Sequence, residues 1–219
     1  MQDLIQQEIF ELEVLNRLNS ARLLTRLFFG GGTMLRLCHG LERFSVDLDF
    51  WLKGLPSNDL FERFRACLGG AYSLADAADK YHTWLFELKS KAYPRALKIE
   101  IRKDVGDFTF RTEQNIAFSR YTPLQVLVTA ISLPDMAAAK VRAFLQRREI
   151  RDVYDLEFLC KRGIIPEISP ADRKELLAGI DALTRHDYQV KLGSLIEEPL
   201  RTYYRQENFK ILKAKLTTG

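Results

Sequence analysis

"FFGGGTMLRLCHGLERFSVDLDF", residues 28–50, joins three consecutive glycines to an Asp-x-Asp pair. Glycine costs backbone entropy in helices and strands, so a run of three marks a place where the bare main chain is needed. "LFF" before it predicts a brief strand ending at Gly30, and "TMLRLCHG" after it predicts a short helix with Gly40 at its C-terminal end. "SVDLDFWL" then alternates polar and apolar residues, the pattern of a strand with one buried face. On that strand Asp47 and Asp49 project from one side, while Leu48 and Phe50 point into the core.

Each half of the stretch has a chemical reading and a plain one. Gly30, Gly31 and Gly32 let a ligand approach the backbone, and the helix start offers unpaired N–H groups and a positive dipole end, a place for phosphate. A tight strand-to-helix turn uses the same residues. The run is neither a Walker A loop nor a G-x-G-x-x-G fingerprint. Two carboxylates on one strand face repel each other, and a hard cation such as Mg²⁺ relieves the repulsion with oxygen ligands. A solvent-facing strand is the alternative. Together, a phosphate cradle and an acidic pair joined by one helix fit a nucleoside triphosphate carried with Mg²⁺.

The stretch resembles the first signature of the AbiEii/AbiGii-type nucleotidyltransferase toxins, a family within the polymerase-β-like superfamily. That signature runs Gly-Gly-Thr-x-Leu-Arg and then Arg-Phe-Ser-x-Asp-Leu-Asp-Phe. It is matched at Gly31, Gly32, Thr33, Leu35, Arg36, Arg43, Phe44, Ser45, Asp47, Leu48, Asp49 and Phe50. Val46 stands where an acid is common. A later family motif, a helical Lys followed by Arg-Asp-x-x-Asp-Leu, is similar to "MAAAKVRAFLQRREIRDVYDLEFL", residues 136–159. On one unbroken helix, Lys140, Phe144, Arg147 and Arg151 would share a face.

The resemblance implies that Asp47 and Asp49 bind Mg²⁺ (or Mn²⁺) and that Gly30, Gly31, Gly32 and Thr33 hold phosphates. It also implies that Lys140 grips the triphosphate, and that Arg151, Asp152 and Asp155 belong to the closing motif. Arg36 and Ser45 join the nucleotide-binding set, Arg36 either on the ligand or bridging helix to strand. Asp152 would orient Lys140 or Arg151, and Asp155 either brace its helix or take part. Arg147 and Arg148 read as solvated surface. A third carboxylate usually completes such a site, and "RALKIEIRKD" offers Glu100, flanked by Ile99 and Ile101 with Lys98 on its own face. Glu100 is a general base, a further metal ligand, or half of an exposed Lys98–Glu100 pair on an edge strand.

The rest of the chain sets limits. With 219 residues, 47% hydrophobic and 28% charged, it has the make-up of a globular protein able to bury a core. No apolar run reaches a membrane span. "MQDLIQQEIFELEVLNRL" mixes acids with apolar residues, so it reads as an amphipathic helix carrying Leu4, Ile5, Ile9, Leu12, Leu15 and Leu18 rather than a secretory signal. Cys38, Cys67 and Cys160 are scattered and odd in number, which points to a reducing cytoplasm and away from disulfides or zinc. The net charge of +4 permits an anionic partner, with basic residues gathered from Lys140 to Arg162 and from Arg185 to Lys215. His39 and His82 read as a helix-end and a strand-surface residue, and Phe28, Phe29, Phe44, Phe50 and Trp51 as core. In "RTYYRQENFKILKAKL", basic residues alternate with aromatics in a way that suits RNA or a plain amphipathic helix.

Helix is predicted over 1–27, a capped helix at "SNDLFERFRACLGG", and strands at "KYHTWLFELKSKA", "RALKIEIRKDV" and "TPLQVLVTAIS". Helices then follow at 134–148, 151–162 and 170–184, with one or two more after Tyr188. The expected fold is α+β of the polymerase-β-like nucleotidyltransferase kind, a small mixed sheet flanked by helices. Residues 1–133 form its catalytic domain and 134–219 a helical region completing the site. The activity implied is transfer of a nucleotide from an NTP to an acceptor hydroxyl. Relatives in the family that extend the 3′ end of tRNA make RNA the first acceptor and a protein hydroxyl the second. A silent nucleotide sensor is a rival of another class, and a separate antitoxin chain is the implied partner.

Overall fold

The computed structural model describes residues 1–103 and 110–218. Internal contacts divide it into two units, Met1–Gly40 with Phe44–Ile131, and Leu41–Arg43 with Ser132–Gly219.

The first unit opens with α1 (Gln2–Ser20), which buries Leu4, Phe10, Leu12, Val14, Leu15 and Leu18. Ile5 and Ile9 are only half-buried, and Gln7, Glu8 and Glu11 take the interior positions expected of them. The helix ends at Ser20 rather than 27. Arg22 adopts a left-handed φ of 57°, and the Leu23 N–H reaches back to the Leu18 carbonyl at 2.9 Å, closing the last turn. One 3₁₀ turn leads into β1 (Leu27–Gly30), then α2 (Gly31–His39), which stops as expected at Gly40 with φ 72°. β2 (Asp47–Leu52) and α3 (Asn58–Gly69) follow, α3 capped by the Ser57 hydroxyl accepting the Leu60 N–H.

Five strands complete the unit: β3 (Ser73–Asp79), β4 (Thr83–Lys89), β5 (Leu97–Arg102), β6 (Thr112–Ser119) and β7 (Thr122–Ile131). The described strands form one seven-stranded sheet in the order β3-β4-β5-β2-β1-β7-β6. β2 runs parallel to β5 and β1 parallel to β7, and the other pairs are antiparallel, so the sheet is mixed. β3 and β6 were not expected, and both are the sheet's edges. Asp104 and Val105, expected to continue β5, lie outside the described residues.

One sheet face is apolar and closed. Leu48, Phe50, Trp84, Phe86, Ile99 and Ile101 share it and are fully buried. Phe61 and Phe64 of α3 pack against Trp84 and Phe86, with Phe61 stacked on Phe86 and edge-on to Trp84. Each such side chain contributes about 1.5–3 kcal/mol of transfer free energy. The opposite face of β2 and β5 carries Asp47, Asp49, Lys98 and Glu100.

The second unit is helical: α4 (Leu133–Arg147), α5 (Ile150–Lys161), α6 (Pro170–Asp181), a π-helical turn (Asp187–Leu192), α7 (Glu198–Glu207) and α8 (Lys210–Thr218). Ser132 and Ser169 cap α4 and α6, each with a proline in the first turn. The helices expected at 134–148 and 151–162 appear as α4 and α5, so the unbroken helix on which Lys140 and Arg151 would share a face does not form. Arg148 takes a left-handed φ of 54° and α5 starts anew at Ile150, so Lys140 and Arg151 do not share a helix. Tyr204 and Phe209 are core residues, which removes most of the aromatic surface expected near the C-terminus. No helix among the described residues is long and apolar enough to cross a membrane.

Candidate active site

The antiparallel pairing of β1 with β2 sets Gly30 opposite Asp49, and the chain turns from Gly30 directly into α2. Gly31, the first residue of that helix, has φ 75°, a conformation that penalises any side chain. A Cβ built on Gly31 would stand 2.2 Å from Oδ2 of Asp49. The Asp49 carboxylate therefore lies against the bare α-carbon at the start of α2. Gly30 is required for another reason, since a Cβ there would meet the Trp51 ring at 2.4 Å. Thr33, fully buried, donates its hydroxyl to the Asp47 carbonyl at 2.6 Å. That hydroxyl fastens α2 to β2 and leaves only the Thr33 main chain for a ligand. Ser45 is buried in the segment leading to β2.

Arg36 bridges α2 to α1 through an ion pair with Glu8, and its guanidinium lies 3.8 Å from the centroid of the Phe44 ring. Glu8 also accepts from the Ser119 hydroxyl. Glu11, one turn on, is fully buried with neither carboxylate oxygen hydrogen-bonded. Burial above all, then the charge of Glu8 and, less, of Asp47, pushes its carboxyl well above the ordinary range, with Arg36 opposing. These acids were missed in the sequence. Their signal was there, because Leu4, Glu8, Glu11, Leu15 and Leu18 recur at alternating spacings of four and three, with acids in two apolar places.

β5 lies between β4 and β2, so the Lys98–Glu100 pair is not on an edge strand. The parallel register sets Lys98 beside Asp47 and Glu100 beside Asp49. Lys98 is ion-paired with Glu100. That hydrogen bond, against some desolvation and aided by the charges of Glu100, Asp47 and Asp49, raises the ammonium above its ordinary pKa. Among the described residues no three carboxylate, imidazole or thiolate groups are arranged to hold a metal ion by themselves. The donors nonetheless suit Mg²⁺, which takes one or two carboxylates and completes its shell with water and phosphate oxygens. Asp47 and Asp49 would be those two carboxylates, with the Asp49 carboxylate lying where a Cβ on Gly31 would stand.

The second group of site residues forms a buried ion network within the helical unit. Lys140, on α4, bonds Asp152 at 3.2 Å and Asp155 at 2.6 Å, both from α5. Asp155, fully buried, accepts two hydrogen bonds from Arg43 at 2.6 and 2.7 Å. Arg43 is buried too, and although burial opposes its charge, Asp155 raises its pKa further. Arg147 makes the same forked contact with Asp152, both bonds at 2.7 Å. Burial alone would raise the Asp152 pKa, but Lys140 and Arg147 outweigh it and hold the carboxyl below its ordinary value. Asp152 thus orients Lys140 and Arg147. Arg151 joins none of these ion pairs. Arg147, expected as solvated surface, is half-exposed but anchored, and Arg148 pairs with Glu175. The break after α4 explains both, since it turns α5 back to present Asp152 and Asp155 to Lys140.

Comparison with known proteins gives the arrangement its context. The described fold is similar to MenT4, a nucleotidyltransferase toxin of Mycobacterium tuberculosis, with a TM-score of 0.61 and 16% identity over 99% of this chain and 87% of that one. It is also similar to JHP933 from Helicobacter pylori, with a TM-score of 0.56 and 20% identity over 100% and 94% of the two chains. At these identities the likeness concerns the fold. No curated protein matches. The profile of the family described as "Nucleotidyl transferase AbiEii toxin, Type IV TA system" matches residues 13–216. That match takes in both groups of site residues and nearly the whole sequence, and the chain belongs to the AbiEii nucleotidyltransferase toxin family of type IV toxin–antitoxin systems.

Proposed function

We propose that the protein uses a nucleoside triphosphate with Mg²⁺ to transfer a nucleotide to an RNA hydroxyl, the 3′ end of tRNA being the first candidate, as a cytoplasmic toxin held by a separate antitoxin. The observation that carries this reading is the Asp49 carboxylate against the bare Gly31 α-carbon at the N-terminus of α2, with Asp47 on the same strand face. A divalent cation there would be held by Asp47 and Asp49 and would neutralise charge on the phosphates. The first-turn N–H groups from Gly31 to Thr33 take the phosphates that trail the α-phosphate. Lys140, oriented by Asp152 and Asp155, gives its remaining N–H to the triphosphate, with Arg151 a further contact.

The acceptor oxygen attacks the α-phosphorus, the bond to the β-phosphate breaks, and pyrophosphate departs with the electron pair. Glu100, one strand over from Asp49, takes the hydroxyl proton. Positioning and charge do most of the work in such a step. The test is incubation with each labelled NTP, Mg²⁺, total tRNA and cell lysate, beside Asp47→Ala. Label on tRNA that Asp47→Ala abolishes supports the reading. Label on protein alone replaces the acceptor, and nucleotide binding without transfer points to a sensor.

A further inference from the structure

Four ionised groups share the polar face of β2 and β5: Asp47, Asp49 and Glu100, with Lys98 among them. Lys98 stands beside Asp47 in the register, opposite Glu87 of β4 on its other side, and its ammonium is bonded to Glu100. Carboxylates on neighbouring rungs are only about 5 Å apart at Cβ, and like charges at that spacing repel. Two things relieve the repulsion, a divalent cation or an ammonium. The chain carries the ammonium itself, and tethering gives it an effective concentration in the millimolar range or above.

We propose that Lys98 is a built-in counter-ion that holds the carboxylate face against free divalent cation, so that the cation binds there only together with a triphosphate. The inference rests on the nucleotidyl-transfer reading of the same face. Its physical basis is competition. A bare divalent ion on Asp47 and Asp49 must bear the repulsion of the ammonium held beside them on Glu100. A cation delivered with a triphosphate brings negative charge that can take the ammonium over. Lys98 would then be a positioning residue that links the order of binding to the charge balance of the site. Nearly half of its side chain is exposed, which leaves the ammonium free to change partners.

The test is Mn²⁺ binding followed by electron paramagnetic resonance on the full chain, with and without an α,β-methylene triphosphate analogue. Without nucleotide, Lys98→Met should bind Mn²⁺ about tenfold more tightly than wild type, the size expected for removing one charge beside a divalent ion in a largely aqueous dielectric. Lys98→Arg keeps the charge and should stay as weak as wild type, which separates charge from any damage to folding. With the analogue present, wild type and Lys98→Met should agree within about threefold. Equal or weaker Mn²⁺ binding by a folded Lys98→Met, or tighter binding by Lys98→Arg, overturns the proposal. Asp49→Asn distinguishes the two levels. If it leaves analogue-dependent Mn²⁺ binding intact, the nucleotide site itself is wrong and Lys98's role falls with it.

Discussion

Breaking the Arg43–Asp155 pair should be among the most damaging changes available in the helical unit. Arg43 is 3% exposed and Asp155 fully buried, and two hydrogen bonds join them. Removing one partner of a buried pair costs about 3–5 kcal/mol, because a desolvated charge loses its compensation. The structure ranks the two halves. Arg43→Met leaves Asp155 with Lys140, still 2.6 Å away, and should fall near the lower figure. Asp155→Leu strips Arg43 of both carboxylate bonds and Lys140 of its shorter contact, and should fall near the upper one. The double variant removes both charges at once, so its cost should undercut the sum of the singles by about 2–3 kcal/mol. Urea unfolding followed by far-UV circular dichroism measures all four corners of the cycle. Singles that each cost under about 1 kcal/mol, or costs that add within about 0.5 kcal/mol, would refute the claim that this pair holds the unit together.

Two further perturbations probe the first unit. Gly31→Ala forces a side chain into a left-handed φ and against Asp49, so it should lose about 1–3 kcal/mol of stability and on the order of 100-fold in nucleotide transfer. Gly40→Ala is its control: φ is 72° but no atom lies within 4 Å of the added Cβ, so urea midpoints should fall while transfer kinetics hold. Glu11→Gln should raise the melting temperature at pH 7. The raised carboxyl stays protonated in the fold while the unfolded chain ionises above about 4.5, so native stability falls as pH climbs from there towards the folded pKa. The gain should shrink as melting is repeated nearer pH 4.5, and a difference independent of pH would contradict the assignment.

The parts of the site that could be read directly were those encoded by local rules. Alternation in "DLDFWL" put the aspartates on one face and Leu48 and Phe50 in the core, and the glycine stop at Gly40 ended α2. What escaped was imposed from outside the segment. "SLADAAD" and "TEQNIAFS" have weak strand character, and each becomes a strand because a neighbour offers it a free edge. The break between the helices at 134–148 and 151–162 was expected, but neither glycine nor proline marks the conformation of Arg148. That residue holds a left-handed turn while its guanidinium pairs with Glu175 and lies 5.5 Å from the Phe144 ring centroid, contacts that no local pattern encodes. The acids of α1 follow the same logic in reverse, since an apolar stripe was expected and Glu8 and Glu11 turn inward, Glu8 to serve Arg36 and Ser119.

The two lysines proposed for the site are both held by carboxylates, yet their surroundings differ. Lys140 is 8% exposed and its partners Asp152 and Asp155 are fully buried, so withdrawing its ammonium would give up two ion pairs in the interior. An ammonium has three donors, and two are spent on those carboxylates. On the proposed reading a phosphate must therefore add to the existing bonds of Lys140, and the lysine acts as a fixed point whose geometry precedes the ligand. Lys98 is the opposite case. It is 46% exposed and its partner Glu100 30%, so exchanging that partner for a phosphate costs little, because exposed pairs contribute at most about 1 kcal/mol. A rigid cation suits charge that develops on the leaving pyrophosphate, where reorganisation during the step would raise the barrier. A movable one suits admission of the nucleotide, where an interaction must be given up before another is made. The burial of each lysine, more than its charge, separates the two roles.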